Sequence, residues 1–145
     1  MKYHVLEQPI PVDVYRETLA ACGLVPKSVA AAEAGLKNTL YSVMVKNHET
    51  VIAMGRVIGD GGTACQVVDV CVLPENQNQD IGKMIMSHIM HYIDRQLPET
   101  CDVSLIAKGD SKYLYEKYGF KLTAPEAAGM EYFVNREQPH EKETL

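Results

Sequence analysis

The sequence predicts an α+β domain built on a mixed, mostly antiparallel sheet. Three observations predict it. Apolar, β-branched runs at 40–46, 51–58 and 64–72 are separated by polar or glycine-rich turns, as in consecutive hairpins. A long helical period follows at 80–96, where Ile81, Ile85, Ile89 and Ile93 recur every fourth residue. A further apolar run, 102–107, comes after that helix and completes a β-α-β unit. Hairpins followed by one such unit exclude a doubly wound parallel sheet.

The elements follow in order. Residues 2–6 read as a short strand. Residues 13–22 read as a helix, with Asp13 as its expected N-cap and Gly23 as its stop. Pro26 and Ser28 introduce a second, alanine-rich helix that ends near Asn38. The strands 40–46 and 51–58 flank the polar turn Asn47-His48-Glu49-Thr50, and Gly59-Asp60-Gly61-Gly62 turns the chain into the strand 64–72. That third strand is nearly all apolar, which marks it as central and buried on both faces, with Asp69 as its one anomaly. Pro74 ends it. After the long helix and the strand 102–107, residues 110–118 read as a short helix closed by Gly119. Phe120 to Leu122 and Met130 to Val134 read as a final strand pair. One domain over 1–134 is expected, with a polar tail, 135–145, expected to fray.

Composition narrows the function. The 145 residues suit one domain, and 46% hydrophobic with 23% charged residues is ordinary for a globular chain. Fourteen Lys and Arg against nineteen Asp and Glu give a net charge of −5, the wrong sign for a nucleic-acid partner. No apolar run approaches the ~18 residues of a membrane span. Glu7, Pro9, Pro11 and Asp13 interrupt the N-terminal stretch where a signal peptide is apolar, so a cytoplasmic location is expected. Cys22, Cys65, Cys71 and Cys101 show no CxxC spacing and are expected to be reduced, mostly buried thiols.

The chemistry concentrates between Val72 and Lys83. There a buried strand ends, a polar loop turns, and a long helix begins. The first N–H groups of a helix lack backbone partners and attract anions, and Gly82 lets a ligand approach them. A plain strand-to-helix loop is the alternative reading.

Two blocks carry a resemblance. Val70-Cys71-Val72-Leu73-Pro74 followed by Gln77-Asn78-Gln79-Asp80-Ile81-Gly82 resembles the acetyl-CoA motif of the GNAT superfamily of N-acyltransferases, V-x-P and then [Q/R]-x-x-G-x-[G/A]. Ser111 to Phe120 resembles the same family's A-x-x-L-Y-x-K-x-G-F, with Leu114, Tyr115, Lys117, Gly119 and Phe120 in place. The family's fold implies a twisted sheet split after its fourth strand, with helices on both faces. The resemblance also implies that the backbone of Val70, Cys71 and Val72 pairs with the pantetheine arm. It implies that amides of Gln77, Asn78, Gln79, Asp80, Ile81, Gly82 and Lys83 hold the pyrophosphate. Tyr115 matches the tyrosine that protonates the departing thiolate. One departure stands out: Asp80 occupies the middle glycine position. An aspartate there suits the helix dipole and is expected to cap the helix. Its charge would also repel a pyrophosphate by about 4 kcal/mol at 4 Å and an effective dielectric of ~20, less if it faces water.

The implied reaction is transfer of an acetyl group from acetyl-CoA to a primary amine of a small molecule, by direct attack and without a metal. The amine must lose a proton first, and Asp69 is the best candidate base; its alternative role is a structural pair with a loop amide or Arg56. Glu33 and Glu75 are weaker candidates. The N–H of Val70 or Cys71 is the expected oxyanion donor. His88 and His91 share a helix face but lack a third ligand, and Cys71 lacks a histidine neighbour, so neither a metal site nor a thiol nucleophile is expected. The helices of 13–38, the hairpin loops and 122–130 would shape the acceptor pocket. The negative charge favours a cationic acceptor. A rival reading, motivated by Asp80, is a degenerate domain acting as an acyl-CoA sensor or protein-binding module. An exposed edge of the C-terminal hairpin would allow a homodimer.

Overall fold

Five strands lie side by side in chain order in this computed structural model, which describes residues 2–134. They are β1 (Tyr3–Leu6), β2 (Tyr41–Asn47), β3 (Thr50–Gly59), β4 (Ala64–Val72) and β5 (Asp102–Ser104). The first three pairings are antiparallel and β4–β5 is parallel. The helices are α1 (Val12–Ala21), α2 (Val29–Leu36), α3 (Ile81–Gln96) and α4 (Lys112–Glu116). Short 3-10 turns at Pro74–Asn76 and Gly109–Ser111 precede α3 and α4.

The sheet is covered on both faces, as the alternation of β2 requires. Val43 and Val45 join Ile85, Met86 and Ile89 of α3, while Met44 between them joins Tyr15 and Leu19 of α1 and Ala32 of α2. The isoleucine stripe read from the sequence is the buried face of α3, with Ile81, Ile85 and Ile89 each at most 1% exposed. Gly55 of β3 lies under this helix. A Cβ built there would come within 2.9 Å of Ile85 Cγ2 and of Ile89 Cδ1.

Local signals explain most boundaries. Ser28 caps α2, its Oγ accepting from Ala31 N–H at 3.1 Å. Asp60 closes the β3–β4 turn: its Oδ2 accepts from the Thr63 hydroxyl at 2.7 Å and its Oδ1 from the N–H groups of Gly62, Thr63 and Ala64, and these donors, the hydroxyl first, hold its carboxyl well below the usual range. That glycine-rich stretch is thus a hairpin turn.

Four expectations are corrected. Asp13 does not cap α1; Pro11 occupies the cap position in extended backbone, and Asp13 sits in the first turn, where its charge still suits the dipole. The strand 102–107 is only β5, Asp102–Ser104, because it diverges from β4 after Gln66 and loses its ladder. The helix 110–118 shrinks to α4 behind a 3-10 turn. The final strand pair, 120–122 with 130–134, does not form among the described residues. The chain spends that stretch on a turn, Ala127 N–H donating to Thr123 O at 3.0 Å, and Leu122, Met130, Tyr132 and Val134 stay exposed. Apolar content alone does not make a strand without a ladder partner. The hairpin edge offered for a homodimer is therefore absent from this structure among the described residues. The tail 135–145 lies outside them.

Gly55→Ala is expected to lower stability by about 1–3 kcal/mol, because the methyl must displace Ile85 and Ile89 in a filled core. Urea unfolding measures it as a lower midpoint.

Candidate active site

The site begins with one extra residue in β4. Arg56 of β3 opposes Val68, yet Met54 opposes Cys71, so Gly55 alone faces Asp69 and Val70. This is a β-bulge, and Asp69 takes its left-handed position with φ of 59°. The bulge shifts the alternation. Cys65 and Val67 before it, and Val70 and Val72 after it, all pack toward α3. Asp69 drops out of that series. Its Oδ2 accepts from Arg56 Nε at 2.9 Å and from Tyr15 Oη at 2.8 Å. Arg56, itself 8% exposed, also donates to Thr39 Oγ1 at 2.7 Å and stacks over the Tyr15 ring at 5.2 Å. Burial first, and then the Asp69 charge, push the Tyr15 hydroxyl up to about 12, so it remains a donor at any ordinary pH. The alternative role of Asp69 read from the sequence, a pair with Arg56, is what the geometry shows. Tyr15 and Thr39 escaped the sequence reading, since nothing separates Tyr15 from an ordinary apolar position of an amphipathic helix.

Beyond the bulge no strand among the described residues pairs with the outer side of β4. The parallel ladder pairs only Ala64–Gln66 with Asp102–Ser104. Past Gln66 the two strands separate, and the edge through Val70, Cys71 and Val72 is left unpaired by β5. This open edge leads to the start of α3. There the first backbone bond runs from Met84 N–H to Asp80 O at 3.2 Å, so the N–H groups of Ile81, Gly82 and Lys83 have no backbone acceptor. Asn78 and Asp80 both adopt left-handed backbone, with φ of 64°. Asp80 does not cap the helix, contrary to expectation. Its conformation turns the carboxylate to solvent, 80% exposed, where Oδ1 pairs with Lys83 Nζ at 3.3 Å. Gln77 folds back and donates from Nε2 to Val72 O at 3.2 Å, tying the loop to the strand end. Gln79 accepts from Tyr3 Oη at 2.7 Å.

These parts enclose a cleft of about 460 Å³ lined by Val72, Gln77, Asn78, Asp80, Ile81, Gly82 and Lys83, and across from them by Leu114 and Lys117. A Cβ on Gly82 would stand 3.5 Å from Leu114 Cδ2 and 3.9 Å from Val72 Cγ2, so the missing side chain is what keeps this gap open. Lys117 adds a second cation to the cleft; the sequence reading used it only as a motif position.

Tyr115 lies at the buried end of α4, 8% exposed, in edge contact with Phe120 at 6.3 Å between ring centres. Burial, and then the nearby Cys71 thiol, raise its hydroxyl. It is therefore held as an acid. Cys71 is 9% exposed, and its thiol is raised by hydrogen bonding to Cys22 and by burial, the opposite of an activated nucleophile. Glu33 and Glu75 are exposed. His88 bonds the Met84 carbonyl of its own helix at 2.9 Å, and no group of three metal-binding side chains occurs among the described residues.

An open strand edge that ends on bare helix N–H groups suits one class of ligand: an extended amide-bearing arm with an anionic end. Comparison with known proteins gives the family. Residues 37–122 match the family model of the acetyltransferase (GNAT) domain, and the chain belongs to that family. It is similar to the crystal structure of a probable acetyltransferase of unknown function from meticillin-resistant Staphylococcus aureus. That likeness has 41% identity and a TM-score of 0.86, and covers 90% of this chain and 98% of the other. A GNAT family protein from Streptococcus pneumoniae shares the fold at 23% identity and a TM-score of 0.73, over 93% and 99% of the two chains. The chloroplastic GCN5-related N-acetyltransferase 1 of Arabidopsis thaliana is 26% identical over 129 residues, 88% of this chain. The chain spans 64% of that relative's length. No helix among the described residues is long and apolar enough to cross a membrane.

Asp80→Gly is expected to tighten acetyl-CoA about fivefold. It relieves a left-handed non-glycine residue and frees Lys83 for the anion. Titration calorimetry reads this directly; weaker binding would show that Asp80 holds the loop in shape.

Proposed function

We propose that this protein transfers an acetyl group from acetyl-CoA to the primary amine of a small molecule, by direct attack in a ternary complex. The open edge of β4 carries the reading, because it runs from the anchored bulge to the bare N–H groups of α3. The edge through Val70, Cys71 and Val72, which β5 leaves unpaired, takes the pantetheine arm as an added strand. The amides from Gln77 to Lys83, with Lys83 and Lys117 beside them, take the pyrophosphate.

The chain's own groups then divide the work. Asp69 accepts the ammonium proton at Oδ1, the oxygen that Arg56 and Tyr15 leave unbonded. The neutral amine forms the C–N bond, and the N–H of Val70 or Cys71 steadies the oxygen charge that develops. As the C–S bond breaks, Tyr115 gives its proton to the sulfur. Burial keeps that proton in place until then. Asp80, which motivated a sensor or protein-binding reading, points to solvent and pairs with Lys83, and so lends that reading no support. The net charge of −5 favours a cationic acceptor.

Two variants test the roles. Tyr115→Phe is expected to lower kcat by about 10²-fold while acetyl-CoA affinity stays within about twofold, because the ring and its packing remain. Unchanged kcat removes Tyr115 from the reaction. Asp69→Asn is expected to lower kcat by a similar factor while acetyl-CoA affinity stays within about twofold. A variant that instead loses acetyl-CoA binding shows that Asp69 only anchors the bulge.

A further inference from the structure

The mechanism leaves the cysteines unused, yet they are not scattered. Cys22 and Cys71 meet between α1 and β4. Cys65 and Cys101, 36 residues apart in sequence, bring their sulfurs to 3.7 Å. Cys65 is 5% exposed in the first half of β4. Cys101 immediately precedes β5 and is half-buried. The parallel register sets Cys65 against Val103. Cys101 is two residues from Val103 and so shares its face, which brings both thiols to the α3 side of the sheet.

We propose that Cys65 and Cys101 form a thiol modification site that reacts with low-molecular-weight disulfides and closes to an intramolecular disulfide. The bond needs the sulfurs to approach by about 1.7 Å, and because the register sets Cys101 diagonally from Cys65 the backbone at Cys101, just outside the three-residue ladder, must shift as well. Cys101 is the more accessible thiol and reacts first. Its thiolate attacks one sulfur of the incoming disulfide, forms a mixed disulfide and expels one small thiolate, which takes up a proton. The Cys65 thiolate then attacks the Cys101 sulfur and expels the second small thiol. Two electrons pass from the two cysteines to the reagent, and the two cysteine protons end on its two thiols. Partial burial, the Cys65 thiol and the carboxylates of Asp60 and Asp102 raise the Cys101 thiol, with Tyr92 packed near Cys65. Reaction therefore quickens as pH rises. The bond would join β4 to β5 at the closed end of the wedge, away from the open edge at Val70–Val72.

The test incubates the full chain with glutathione disulfide at about pH 8.5, blocks free thiols, and maps peptides without reduction. The expected product is a linked Cys65–Cys101 peptide with no retained glutathione. The linked protein should melt about 10 °C higher than the reduced protein, since the bond closes a long loop. Cys65→Ser should stop at a glutathione adduct on Cys101, and Cys101→Ser should show neither link nor shift in melting. Three outcomes overturn the proposal: a stable adduct in the natural chain, both thiols left free, or a Cys22–Cys71 bond in their place.

Discussion

The site hangs on the anchored bulge at Asp69. An extra residue in a central strand strains the ladder, and a non-glycine residue with φ of 59° adds to that strain. Something must hold it. Arg56 and Tyr15 do so through one carboxylate oxygen, and Thr39 holds Arg56 in turn. Both charged side chains are largely buried, at 9% and 15% exposure. Removing one partner from such a pair strands the other, at about 3–5 kcal/mol when burial is complete. The pair therefore argues less for gross stability than for one particular strand shape.

That shape propagates in two directions. Downstream, the shifted alternation turns Val70 and Val72 to the α3 face, so apolar packing continues to the strand end. Sideways, β4 and β5 keep only three residues of ladder, and the edge through Val70–Val72 is left unpaired by β5. The helix that closes the site is fixed from below by the absence of a side chain. Because Gly55 lets Ile85 and Ile89 settle on bare backbone, α3 packs close to the sheet and its N-terminus meets the end of β4. Packing on one face thus sets the distance between the strand edge and the start of α3.

Much of this was legible in the residues. The isoleucine period placed α3, the turn residues of 59–62 placed the β3–β4 hairpin, and Ser28 marked the start of α2. The polar loop from Gln77 to Lys83 announced the helix start that now stands over a cleft. Other features resisted. Asp80 looked like a cap, but only the left-handed backbone reveals that its carboxylate leaves the helix end. The stretches 120–122 and 130–134 looked like strands because their side chains are mostly apolar, and a strand is a relation to a neighbour rather than a property of a segment.

The sequence by itself determined the order of helices and strands as far as α4 and the anomaly of a carboxylate within 64–72, but not a central place buried on both faces for that strand, which is half-buried and unpaired by β5 past Gln66. That order and that anomaly follow from periodicity and composition, which are local. Only the tertiary structure decided that Asp69 sits on a bulge, that Tyr15 from α1 is one of its two anchors, and that β5 stops at Ser104. It also decided that Cys65 and Cys101 face each other. Each of these is a contact between residues distant in the chain, and register between strands arises only when the whole sheet closes.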